Sequence, residues 1–217
     1  MREIEAVLFD LDGTLFDTRE FIFRAFRHSL RKHTNKRVKW EDIEHVLGKP
    51  LIDCYGILFP SGDMEVLCQT HKDFQANNLH LVKPFAKSRA TLKKLVEEGI
   101  KNGLVSSRHN DTLSDNLKAT KIDYLLEVVI TADDVTNHKP HPEPLLKALD
   151  ALKVSPKNAL MVGDTDVDIL AGKNAGMRTV GVTYGFHGAR IVDAKPDWVI
   201  DDISELWGIV DKINSKR

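Results

Sequence analysis

Two carboxylates stand two residues apart in Asp10-Leu11-Asp12, and Gly13 and Thr14 follow directly. Ahead of them runs Ala6-Val7-Leu8-Phe9, four apolar residues. A short apolar run closed by a turn residue predicts a strand buried on both faces. Asp10 then falls at the carboxyl end of that strand, where open α/β sheets keep their ligand crevice. Gly13 lets the backbone turn sharply just after the second acid. Two carboxylates this close repel each other by roughly 4 kcal/mol at about 4 Å and an effective dielectric of about 20. A bound cation, or a proton held by one of the pair, must offset that.

Four more polar groups recur just past short apolar runs. Ser106 follows Gly103-Leu104-Val105, and Lys139 sits in the loop after Glu127 to Ile130. Asp164 and Asp168 follow Ala159 to Val162. In a doubly wound sheet such strand ends converge on one crevice. Each group has a use if the substrate is a phosphate ester. Asp10 can attack phosphorus in line and split hydrolysis into two easier steps. Asp12 can protonate the leaving oxygen and then deprotonate the attacking water. Asp10 and Asp164 offer hard oxygen ligands of the kind Mg²⁺ prefers, and a metal there can bridge nucleophile and phosphate. Lys139 adds a cation for the phosphoryl charge. Ser106 and the Ser107 amide can donate hydrogen bonds to the same oxygens. Simpler readings stay open residue by residue: Ser106 and Asp168 also suit helix caps, and Lys139 alone suits a surface.

The order of these pieces resembles the haloacid dehalogenase superfamily, in its phosphoglycolate phosphatase-like subfamily. Asp10-Leu11-Asp12-Gly13-Thr14-Leu15 is similar to its first motif and Val105-Ser106-Ser107-Arg108 to its second. Lys139-Pro140-His141-Pro142-Glu143-Pro144 resembles the third, and Gly163-Asp164-Thr165-Asp166-Val167-Asp168 the fourth. The resemblance covers nearly the whole chain. It implies that Asp10 is a nucleophile forming an aspartyl-phosphate and that Asp12 is the general acid/base. It also implies Mg²⁺ held by Asp10, the backbone carbonyl of Asp12, and Asp164. Asp168 would stand behind them, orienting Lys139 or a metal-bound water. Ser107 stands where close relatives often carry Asn, and His141 where they often carry a small residue. Neither departure removes a group the chemistry needs.

The elements that must position these groups follow from periodicity. Asp17-Thr18-Arg19-Glu20 has the form of a capping box. The helix it opens carries Phe21, Ile22, Ala25, Phe26, Ser29 and Leu30 on one face. Ile43, Val46 and Leu47 mark a second helix, stopped by Gly48 with Pro50 beyond. Leu51 to Phe59 reads as a third and Met64 to Leu79 as a fourth, with Met64, Leu67, His71, Phe74 and Asn78 on one stripe. Residues 17 to 83 carry no strand signal. From Pro84 onward strands alternate with helices, which implies a parallel sheet covered on both faces. The first strand must join that sheet to satisfy its backbone. The expectation is a Rossmann-like doubly wound α/β core of residues 1–16 and 84–217 with an inserted all-helical cap of residues 17–83.

Composition bounds the rest. The chain has 217 residues with 42% hydrophobic and 29% charged, as in soluble globular proteins. A net charge of −1 supplies no field for nucleic acid or membrane. No apolar run approaches the roughly 20 residues of a membrane span. Nothing has the form of a secretory signal, and Cys54 and Cys68 suit buried free thiols. A cytoplasmic protein, monomer or homodimer, acting on a small-molecule phosphate ester is the expectation. The loop Gly48-Lys49-Pro50-Leu51 is similar to the G-x-P-L loop in caps of phosphoglycolate phosphatases and related pyrophosphatases. Lys49 or Arg24 can pair with a substrate carboxylate, or both can be solvated surface cations. Phosphoglycolate is therefore the first-choice substrate. Pyrophosphate, or a β-phosphoglucomutase-like phosphomutase reaction, is the alternative. A phospho-acceptor signalling receiver has no inserted cap and no second acid, and a catalytically inactive interaction protein has no need of the intact acid set.

Overall fold

The computed structural model describes residues 3–34 and 36–215, apart from the side chains of residues 111, 112, 115 and 119. Its first strand, β1 (Ala6–Phe9), is wholly buried. Val7 and Phe9 pack into one core, and Ala6 and Leu8 into a second on the opposite face. That alternation explains why the run is continuously apolar rather than alternating.

After β1 the chain crosses out through a two-residue strand, β2 (Phe16–Asp17). Four helices follow: α1 (Arg19–Thr34), α2 (Trp40–Ile43), α3 (Leu51–Leu58) and α4 (Met64–Ala76). The return is β3 (Lys83–Pro84), which pairs antiparallel with β2. This ribbon lies at the borders of a segment expected to hold no strand. Two residues are too few to leave a period-2 signature.

The six residues expected on the inner face of α1 are the six it buries. They pack on α4, where Ser29 Oγ donates to Leu67 O at 2.8 Å. The Phe26 ring lies 4.7 Å from His71 and 5.1 Å from Tyr55. Glu20 does not close the expected capping box: its carboxylate accepts from Arg24 Nε. The fourth helix ends three residues early; Leu67 and His71 of the expected stripe are buried, joined by Thr70 and Gln75 in place of Met64, Phe74 and Asn78. The buried His71 has its partner in α3, the Tyr55 hydroxyl meeting His71 Nδ1 at 2.9 Å.

The remainder supplies α5 (Ser88–Glu97), β4 (Lys101–Val105), α6 (Asn110–Thr120), β5 (Val128–Ile130), α7 (Glu143–Leu152), β6 (Ala159–Gly163), α8 (Asp166–Asn174), β7 (Arg178–Val182), β8 (Trp198–Ile200) and α9 (Leu206–Asn214). The sheet order is β5-β4-β1-β6-β7-β8, parallel throughout. Leu92, Leu206 and Val210, from α5 and α9, cover one face, and Leu145, Leu149 and Ala171, from α7 and α8, the other. Chain order reverses between β1 and β6, so the switch-point crevice opens between Asp10 and Asp164. This is a doubly wound Rossmann-like fold. Among the described residues no helix is long and apolar enough to cross a membrane. Cys54 and Cys68 are free, the first buried and the second half-buried.

Candidate active site

The loop after β1 is pinned to the sheet, with Asp10 N donating to Val162 O at 2.9 Å. The Asp10 carboxylate meets Lys139, which is 4% exposed. Lys139 Nζ donates to Asp10 Oδ1 at 2.7 Å, to Asp168 Oδ1 at 2.7 Å and to Val105 O at 3.0 Å. Those three acceptors use all three ammonium protons. Asp168 Oδ2 accepts from Thr165 Oγ1 at 2.6 Å and closes the cap of α8. One residue thus performs both of the jobs open to it, capping a helix with one oxygen and holding Lys139 with the other. Asp164 accepts from Thr14 Oγ1 at 3.2 Å and from Phe186 N at 2.6 Å. Gly13 has φ +89°, and a Cβ there would lie 2.2 Å from Asp164 Oδ2. Only glycine allows the two loops to meet.

Asp10, Asp164 and Asp168 bring carboxylate oxygens within 4.8 Å of one another, all buried. Burial pushes the Asp10 carboxyl up to about 7 against the pull of Lys139, and Asp168 and Asp12 add to the rise. Asp164 is raised by burial and then by Asp10 and Asp168. Burial alone would lower Lys139, but Asp10 and Asp168 outweigh it and hold the ammonium charged. Three buried carboxylates therefore face one ammonium. Hard oxygen donors with surplus negative charge fit a divalent cation such as Mg²⁺.

Asp12 and both serines line the pocket in front of this cluster. Ser106 Oγ accepts from Arg108 N at 3.2 Å, forming a turn rather than a helix cap. Ser107 sends its hydroxyl to Gly48 O at 2.9 Å, so the side chain grips the loop between α2 and α3. Lys49 lines the same pocket, with no ion-pair partner among the described residues. Arg24 does not reach it. That residue is exposed on the outer face of α1, paired with Glu20 beside Arg27, His28 and Arg31. An i,i+4 partner one turn away captured it, which corrects the expected role.

Two residues with no assigned role also line the pocket. Arg108 is held against Asp12 by two hydrogen bonds of 2.6 Å each, in a bidentate pair. His71, from α4, is pushed down to about 3 by burial and then by Arg108, so it enters the pocket neutral. Arg108 sits in the same four residues as Ser106, so its position was visible in the sequence while its target was not.

The comparisons with known proteins agree with this geometry. A family model described as haloacid dehalogenase-like hydrolase matches residues 7–182. The pyrophosphatase PpaX of Bacillus mycoides is 38% identical over 213 residues, covering 98% of this chain and 99% of that protein. A haloacid dehalogenase-like hydrolase from Bacteroides fragilis superposes with a TM-score of 0.87 at 31% identity, over 94% of this chain and 99% of that one. A structure named a predicted phosphoglycolate phosphatase, from Haemophilus somnus, gives 0.87 at 23% identity, over 96% and 99%, a likeness of fold. With the four strand-end groups gathered at one switch point and the family model spanning most of the chain, the protein belongs to the haloacid dehalogenase-like hydrolases, on the phosphatase side of that family.

Proposed function

We propose that the chain hydrolyses a small phosphate compound carrying a second anionic group, through an aspartyl-phosphate on Asp10. The observation that carries this is the Lys139 ammonium bridging Asp10 and Asp168 at the switch point, beside Asp164. Asp10 forms a bond to phosphorus while the bond to the leaving oxygen breaks, and Asp12 supplies the leaving oxygen with a proton. Asp12 then takes a proton from water, whose oxygen displaces Asp10 from phosphorus. Lys139, Ser106 and the Ser107 amide stabilise charge on the phosphoryl oxygens. Mg²⁺ held by Asp10, Asp164 and the Asp12 carbonyl would offset negative charge shared by nucleophile and phosphate. Asp168 keeps Lys139 in place. Residues 17–83 act as the cap that excludes water and bulky substrates.

Inorganic pyrophosphate is the first-choice substrate, because relatives 37–38% identical over nearly the whole chain bear the name pyrophosphatase. This reverses the order expected from the motifs alone. Phosphoglycolate is the second reading, supported by Lys49 in the pocket wall, where a carboxylate can meet it. Both substrates pair a phosphoryl group with a second anion. The test compares kcat/KM for pyrophosphate, phosphoglycolate and a hexose phosphate with Mg²⁺. A hexose phosphate winning by about tenfold, or ~1.4 kcal/mol, removes the second-anion reading.

A further inference from the structure

Arg108 occupies both oxygens of the residue that has to act as the acid. Its Nε and Nη2 donate to Asp12 Oδ2 and Oδ1, each at 2.6 Å. The guanidinium is largely buried and lies over the Phe21 ring of the cap at 5.1 Å. Its Nη1 is buried and has no hydrogen-bond partner among the described residues. The bidentate guanidinium pair engages both oxygens and leaves only their remaining lone pairs to a leaving group. Of the acids lining the pocket, Asp10 and Asp168 are taken by Lys139, and Asp12 by Arg108. Lys49 adds positive charge to the same pocket. His71 stands there uncharged and does not compete for an anion.

We propose that Arg108 is a specificity-determining switch: it holds Asp12 in the free enzyme and transfers to the second anionic group of the substrate, which frees Asp12. The planar fork suits a phosphate or a carboxylate equally well, and the unpartnered Nη1 gives that group a donor already stripped of water. A substrate whose leaving portion is neutral offers nothing to draw Arg108 away. The idea rests on the phosphatase reading of Asp10 and Asp12, and it adds how that site tells one phosphate from another.

The test measures kcat/KM of wild type, Arg108→Ala and Arg108→Lys for pyrophosphate, phosphoglycolate and 4-nitrophenyl phosphate. With Arg108→Ala, the two substrates that carry a second anionic group should lose about a hundredfold. The aryl phosphate, whose leaving group needs no proton, should gain about threefold, because Asp12 no longer spends most of its time clamped and is free to take the proton from water in the second step. Arg108→Lys keeps the charge without the fork, so the ratio of pyrophosphate to aryl phosphate should fall by about tenfold. It also carries the test if the alanine variant does not fold. Pyrophosphate against phosphoglycolate in the wild type tells which second anion is preferred. Equal losses on all three substrates, or ratios unchanged in a folded variant, overturn the inference and leave the phosphatase reading standing. A wild type inert toward all three removes both.

Discussion

Lys139 shows how much a single buried cation does in this site. It is the shared partner of Asp10 and Asp168 and is almost fully enclosed. Lys139→Ala should therefore cost about 3–5 kcal/mol of stability, because it leaves buried carboxylates uncompensated. It should also lower kcat/KM by far more than threefold. A denaturant midpoint and a rate within threefold of wild type, ~0.7 kcal/mol, would make Lys139 a bystander. His71 makes a second prediction. Its folded value of about 3 lies below the ordinary 6.5, through burial and then Arg108. The unfolded chain then binds a proton that the folded chain refuses, so stability must fall as pH drops from about 6.5 toward 3, by about 1.4 kcal/mol per unit. His71→Gln should flatten that slope in urea titrations at about pH 7.5 and 5.5; an unchanged slope would refute the assignment. The residues legible in the sequence were those next to a strand end, because one apolar run places them. For Arg108 and His71 the positions were legible but the partners were not, since Asp12 and Tyr55 lie 96 and 16 residues away.

At the scale of elements, the helices between β2 and β3 meet the sheet-bearing part through specific polar and aromatic contacts as well as a shared apolar cluster. Ser107 Oγ reaches Gly48 O, Trp40 packs on Phe186 at 5.7 Å, and Arg190 meets Glu44 at 3.0 Å. Gly48 carries φ +87°, which turns the loop Gly48-Lys49-Pro50 toward the second-motif serines. Ser107→Ala removes the loop's hydrogen bond, worth about 1 kcal/mol, yet keeps the backbone amide proposed to bind the phosphoryl group. KM should rise several-fold with kcat held. A fall in kcat at constant KM would place the hydroxyl in the chemical step instead. The helix periodicity found α1 and its buried face, because a stripe of large apolar residues has one way to be covered. On α4 it found Leu67 and His71 but missed the polar Thr70 and Gln75, which are buried beside them. Hydrophobic pattern cannot see a polar face that turns inward to meet a tyrosine and a pocket. The β2–β3 ribbon escaped for a different reason, its length.

For the whole molecule, the alternation of strands and helices was enough to place the sheet and its crevice. Buried acids in excess of buried cations were foreshadowed by the Asp10–Asp12 spacing, though the surplus lies in Asp10, Asp164 and Asp168. EDTA should therefore abolish turnover, and added Mg²⁺ should restore it. Removing the ion should also shift the thermal midpoint, since a ligand that binds only the folded state stabilises it. Full turnover in EDTA would rule out the metal assignment. The central claim is covalent: phosphorus passes through Asp10. Asp12→Asn should slow release of the phospho-enzyme and let it accumulate. Acid quench of that variant with pyrophosphate, reduction with borohydride and peptide mass mapping read the position directly. Homoserine at position 10, and its absence in an Asp10→Asn control, is the expected result. Label at any other residue, or phosphate release with no trappable adduct in a variant that still turns over, would contradict it.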